Sequence, residues 1–116
     1  MEKLNVAIAD DNERMTDILG QMIEEDKELA LVGKAHNGEE ICNIIREKEP
    51  DVVVLDMIMP KMDGLTVMEQ CSHDQTVKKQ PAFIVISAVG QERITEDAFN
   101  LGASYYMLKP FDNQVL

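Results

Sequence analysis

The sequence predicts an α/β fold, a doubly wound parallel sheet of five strands with helices on both faces. Two observations carry this. Short apolar runs alternate five times with stretches of helical periodicity. Three of those runs also deliver charge at their C-terminal ends. Asp10 and Asp11 follow Val6-Ala7-Ile8-Ala9, Asp56 follows Val52-Val53-Val54-Leu55, and Lys109 follows Tyr105-Tyr106-Met107-Leu108. In a parallel sheet all strand C-termini open onto one edge, where ligands bind. Three carboxylates and one ammonium are therefore expected to share one small site.

Each element has its own signal. Leu4 to Ala9 reads as the first strand. Asn12 to Glu25 reads as a helix with Met15, Ile18, Leu19, Met22 and Ile23 on one face. Leu29 to Ala35 is the second strand. Asn37 then caps a second helix, with Glu39 and Glu40 in the first turn, where the helix dipole favours negative charge. That helix turns Ile41, Ile44 and Ile45 inward and ends before Pro50. Asp51 to Leu55 is the third strand and the most β-branched run. Gly64 to Gln70 begins the third helix. Ala82 to Ser87 is the fourth strand, Gln91 to Leu101 the fourth helix, and Ser104 to Leu108 the fifth strand. Gly102 stands where a left-handed residue closes a helix. The uniformly apolar runs, Val6 to Ala9 and Val52 to Leu55, are expected at the sheet centre. The chain stops at Asp112-Asn113-Gln114-Val115-Leu116, which reads as a fifth helix cut short, so a longer protein is expected.

Composition sets the bounds. At 116 residues the chain has room for one domain. Hydrophobic content of 45% with 28% charged residues is that of a globular chain. The formal net charge of -11, with 11 scattered Lys and Arg, argues against nucleic-acid binding by this segment. Apolar runs end at about 5–8 residues, far short of the roughly 20 of a membrane span. With no signal-like N-terminus, a cytoplasmic protein without membrane contact is expected. Cys42 and Cys71 form no CxxC pair, and Cys42 reads as a small core residue. His36 and His73 read as separate surface residues.

Taken singly, the charged residues have plain explanations. Asp11 or Asn12 could cap the first helix, Asp56 could be a loop residue, and Ser87 at the end of the fourth strand could be structural. Their coincidence points elsewhere. Carboxylates gathered without a cation repel one another, and magnesium suits oxygen ligands with one or two carboxylates plus phosphate oxygens. Asp10, Asp11 and Asp56 fit such an ion. Asp56 is then the natural nucleophile toward phosphorus. Lys109 would cover a phosphoryl oxygen as a compact charge, and Ser87 would offer a hydroxyl. The chain has no GxxxxGK[ST] loop and no GxGxxG after the first strand. It also lacks a flavin-type loop there. An aspartyl-phosphate phosphatase would want a second Asp two residues after the nucleophile, and that position is Ile58.

These residues resemble the receiver domains of bacterial two-component response regulators. The resemblance spans essentially the whole chain. It rests on Asp10-Asp11, Asp56 within VVVLDMIMPKMDG, Ser87-Ala88 and Lys109-Pro110. It implies a flavodoxin-like sheet of strand order 2-1-3-4-5, with Asp56 as phosphoacceptor. It also implies Mg2+ on Asp10, Asp11, Asp56 and the Ile58 carbonyl, with Mn2+ or Ca2+ as substitutes. Tyr106 matches the aromatic switch position, and equally reads as a half-buried strand residue. The stretches ADDNERM, AHNGEE, KKQPAFIVISAVGQE and LGASYYMLKPFD are further similar to receivers of sporulation regulators from endospore-forming bacteria. Val89 stands where an aromatic is often found, and Ser87 replaces the commoner Thr.

The resemblance implies a phosphoryl donor that is a histidine kinase or a histidine phosphotransfer protein, docking near Arg14, Met15, Ile18 and Pro110. Met15 and Ile18 could equally be core. It further implies homodimerisation on phosphorylation, and a C-terminal DNA-binding domain following residues 1–116 in the full protein. The expected role is a phosphoacceptor switch controlling a sporulation transcription factor, with at most slow autodephosphorylation. Two other readings stay open: a stand-alone, chemotaxis-like receiver acting by protein binding only, and an aspartyl-phosphate hydrolase with a small-molecule substrate.

Overall fold

The structure, a computed structural model, describes residues 3–57, 59, 62–88 and 92–109. The element order is β1 (Leu4–Ala9), α1 (Glu13–Glu24), β2 (Leu29–Ala35), α2 (Gly38–Lys48), β3 (Val52–Asp56), α3 (Gly64–His73), β4 (Ala82–Ala88), α4 (Glu92–Asn100) and β5 (Tyr105–Lys109). All five strands are parallel, in the order β2-β1-β3-β4-β5. The expected alternation holds throughout, and α3 runs on to His73. The segment read as a truncated fifth helix lies outside the described residues.

The sheet sorts its side chains by strand alternation. On one face Ala7, Ala9, Val53, Leu55, Phe83 and Val85 pack with buried residues of α2 and α3. On the other face Val6, Ile8, Val54 and Ile86 pack with Leu19 and Ile23 of α1. Met22 does not join them. It is 58% exposed, because the apolar stripe of α1 is narrower than the sequence spacing suggests. The small Ala7 and Ala9 of β1, both fully buried, leave room for the large Ile41 and Ile45 of α2.

The helix ends follow their capping residues. Asn12 Oδ1 accepts from the Met15 amide at 3.2 Å, and Asn37 Oδ1 accepts from the Glu40 amide at 3.0 Å. Asp63 Oδ1 accepts from the Thr66 amide at 2.9 Å and starts α3. At the end of α4 Gly102 takes φ 108°, and the Ala103 amide donates to the Ala98 carbonyl at 3.0 Å. That is the left-handed closure the glycine predicts.

At the N-terminal edge of the sheet Asp51 ties three strand starts together. Its Oδ2 accepts from the Asn5 amide at 2.8 Å, its own amide donates to the Asn5 carbonyl at 2.8 Å, and its carbonyl accepts from the Ala82 amide at 3.0 Å. Lys79 forms an ion pair with its other oxygen. The Lys79 ammonium first, and the Asn5 N–H second, hold the Asp51 carboxyl below its ordinary range. A lowered folded pKa gives stability that is present above the unfolded value of about 3.9. It is lost as pH falls through the folded value. Asp51→Asn should lower the urea midpoint at neutral pH. It should also flatten the fall in stability between about pH 5 and about pH 3. A parallel slope for both proteins would mean that the clasp contributes nothing.

Gly38 opens α2 against the segment that follows β3. A Cβ there would overlap the Met62 carbonyl oxygen and the Met62 Cβ, and backbone cannot yield as a side-chain tip would. Gly38→Ala should cost about 1–3 kcal/mol by overpacking, read from urea unfolding. An unchanged midpoint would show that this segment shifts freely.

Candidate functional site

The site is built at the C-terminal edge of the sheet. The Asp10 amide donates to the Ala35 carbonyl at 3.0 Å, which extends the β1–β2 ladder one residue beyond β1. The Asn12 amide then donates to Asp10 Oδ1 at 2.9 Å and fixes the carboxylate over the strand end. Asp10 is fully buried, whereas Asp11 is exposed. Asn12 takes the helix cap, so neither aspartate is used as one.

Asp56 is the last residue of β3 and is 4% exposed. Its backbone is held from both sides. It registers with Ile86 on β4, and the Met57 amide donates to the Ile86 carbonyl at 3.0 Å. The Gly64 amide donates to the Met57 carbonyl at 3.0 Å. A Cβ on Gly64 would come within 2.8 Å of the Asp56 carbonyl oxygen, so only glycine lets α3 start this close to the site.

Strand order decides what meets. β1 and β3 are neighbours, with Ala9 opposite Leu55, so Asp10 and Asp56 emerge side by side. Asp10, Asp11 and Asp56 each bring a carboxylate oxygen within 4.8 Å of the others. At about 5 Å and an effective dielectric near 20, two such charges repel by roughly 3 kcal/mol. An all-oxygen cluster with two buried members and one exposed suits a hard divalent cation that keeps part of its water shell.

Ser87 is 1% exposed and stands one residue beyond the strand partner of Asp56. Ala88 registers with Lys109, which brings the end of β5 to the same sheet edge. Tyr106 registers with Val85. It is 41% exposed rather than half-buried, and its ring lies 6.2 Å from that of Tyr105. Beside the site, Arg14 is exposed, Met15 is partly buried against the α1-side core, and Ile18 is partly buried. Ile58 and Pro110 lie outside the described residues.

Sequence reasoning missed one pair beside the site. Thr16 is fully buried in α1, where its hydroxyl donates to the Glu13 carbonyl at 2.8 Å and lies 3.4 Å from His36 Nε2. The His36 amide donates to Glu40 Oε1 at 2.8 Å. His36 is therefore a partly buried link between α1 and α2, not a plain surface residue. No local pattern marks it, because its partner lies 20 positions away.

The comparisons agree with this geometry. The signal receiver domain of a NarL response regulator from Mycobacterium tuberculosis superposes with a TM-score of 0.85 at 27% identity, covering 97% of this chain and 88% of that one. The response regulator domain of Thermotoga maritima CheB gives 0.84 at 26%, covering 94% and 80%. CheY in the CheX-CheY-BeF3-Mg complex from Borrelia burgdorferi gives 0.83 at 30%, covering 96% and 81%. Among the described residues no helix is long and apolar enough to cross a membrane. The family model of the response regulator receiver domain matches residues 6–116, and the chain belongs to that family of phosphoacceptor switches.

Proposed function

We propose that Asp56 accepts a phosphoryl group from the phosphohistidine of a histidine kinase or histidine phosphotransfer protein. The observation that carries this reading is the convergence of the Asp10, Asp11 and Asp56 carboxylates within 4.8 Å at the end of the central strands. The buried Asp56 carboxylate attacks phosphorus in line, and the bond to the donor imidazole breaks. Asp10 and Asp11, with Asp56 and the Ile58 carbonyl, are the groups that would hold Mg2+, with Mn2+ or Ca2+ as substitutes. When bound, the ion supplies positive charge to the phosphoryl oxygens. The Borrelia relative was solved with magnesium and BeF3, which supports the assignment by similarity.

The remaining roles follow from placement. Lys109 supplies a compact positive charge from the end of β5, and Ser87 donates its hydroxyl to a phosphoryl oxygen. The new group adds about -1.5 to -2 charges. Ser87 moves toward it, and Tyr106, exposed in this structure, turns inward. Arg14, Met15, Ile18 and Pro110 form the docking surface for the donor. In the whole protein the switch promotes homodimerisation and controls a sporulation transcription factor. DNA is contacted through a separate domain, and this acidic segment contacts neither nucleic acid nor membrane. A second reading, a stand-alone receiver that acts by binding a protein target, is favoured by CheY, solved in complex with CheX, among its structural neighbours.

Intact mass after incubation with acetyl phosphate and Mg2+ tests the acceptor. One phosphoryl group should appear in the wild type, require the metal, and be absent in Asp56→Asn. Equal phosphorylation of both proteins would remove Asp56 from the role. The charge cluster gives an independent test in metal-free buffer. Asp10→Asn should raise the urea midpoint, with a gain in stability of up to roughly 3 kcal/mol for each pair whose repulsion is relieved in full, and saturating Mg2+ should narrow the gap. A lower midpoint without metal would mean that the carboxylates are not held against repulsion.

A further inference from the structure

The turn between β1 and α1 carries Asp10 and Asp11, and a ring of contacts closes around it. The Asp10 amide donates to the Ala35 carbonyl at 3.0 Å, and the Asn12 amide donates to Asp10 Oδ1 at 2.9 Å. The Thr16 amide donates to the Asn12 carbonyl at 3.1 Å. His36 follows Ala35, and its Nε2 meets Thr16 Oγ1 at 3.4 Å. The other three bonds each use a backbone amide. Only the His36–Thr16 link runs between two side chains, so it is the one that a substitution can cut cleanly.

The direction of that link follows from the hydroxyl. Thr16 is fully buried, and its single hydroxyl hydrogen goes to the Glu13 carbonyl at 2.8 Å. The oxygen therefore accepts from His36, and Nε2 carries the hydrogen. The other side of His36 is anchored to α2. Its amide donates to Glu40 Oε1 at 2.8 Å, and its Nδ1 faces the same oxygen at 3.9 Å. The Glu40 amide in turn donates to the Asn37 cap at 3.0 Å. The imidazole is a strut from the first turn of α2 to the first turn of α1.

We propose that His36 is a positioning residue for the divalent-cation site: by bracing Thr16 it holds the β1–α1 turn so that Asp10 and Asp11 keep their carboxylates beside Asp56. This role rests on the reading of that cluster as a metal site. The three carboxylates have oxygens within 4.8 Å of one another, and like charges this close push apart. Without the strut the exposed Asp11 swings outward and the repulsion is relieved. A cation must then gather the carboxylates again, which weakens its binding. Contacts outside the ligand set act on metal affinity in this way without touching the ion. The effect is distinct from ordinary packing. A residue that only stabilises the fold changes the urea midpoint and leaves the affinity of the folded protein alone. A residue that holds the turn changes that affinity.

Calorimetric titration of the folded full chain with Mg2+ tests this, each variant being checked first by circular dichroism. His36→Ala should bind Mg2+ about two- to tenfold more weakly than the wild type, the span of one modest hydrogen bond. His36→Gln keeps an N–H donor at similar reach and should recover most of the affinity. Thr16→Val should weaken binding to the same degree as His36→Ala, and the double variant no further than either alone. Additive losses would show that the two side chains do not act through each other, which overturns the strut. Equal Mg2+ affinity in the wild type and His36→Ala would overturn the role and leave the metal site standing. No binding by the wild type would remove the metal site and the role together.

Discussion

Everything at the functional edge depends on holding like charges together. Two nearly buried carboxylates, Asp10 and Asp56, stand beside an exposed third with oxygens inside 4.8 Å. A loose scaffold would let them separate and take up water. The parallel sheet prevents this. Asp10 is tied through its amide to Ala35 and through its carboxylate to the Asn12 amide, and Asp56 is bracketed by the Ile86 and Gly64 contacts of Met57. The apolar packing of β1 and β3 on both faces supplies the rigidity, so the core stabilises a site that is itself destabilising.

The two ends of the sheet treat charge in opposite ways. At the N-terminal edge Asp51 keeps its own lysine and an amide donor, and its carboxyl is held low by them. That aspartate closes a structural junction between strand starts. At the C-terminal edge the aspartates gather with one another, an arrangement that suits a hard divalent cation. Residue type is the same at both ends. What differs is the neighbourhood: a lysine and an amide at one end, other carboxylates within 4.8 Å at the other.

Much of this was legible in sequence because it is local. Alternating apolar runs, Asn37 before a helix, Gly102 after one, and aspartates at strand ends are short-range signals, and the strands and helices lie within a few residues of the expected places. Met22 misled because helical spacing alone does not measure stripe width. The contacts that escaped are long-range: Thr16 with His36, Cys42 with Met62, Gly38 with Met62. Each joins elements whose register is set only when helices pack, and no residue in either partner carries a mark of the other.

The Gly38 contact has a counterpart at Gly64. Gly38 and Gly64 each admit backbone where a Cβ would clash, and both glycines stand at the first residue of a helix. Met62 is thereby held close to Gly38, and Asp56 and Met57 close to Gly64. Such close-packed contacts either hold or break rather than yield gradually. The same seat touches the Cys42 sulfur through Met62. Packing at Met62 therefore joins Gly38 of α2 and the Cys42 sulfur to the residue just before the cap of α3.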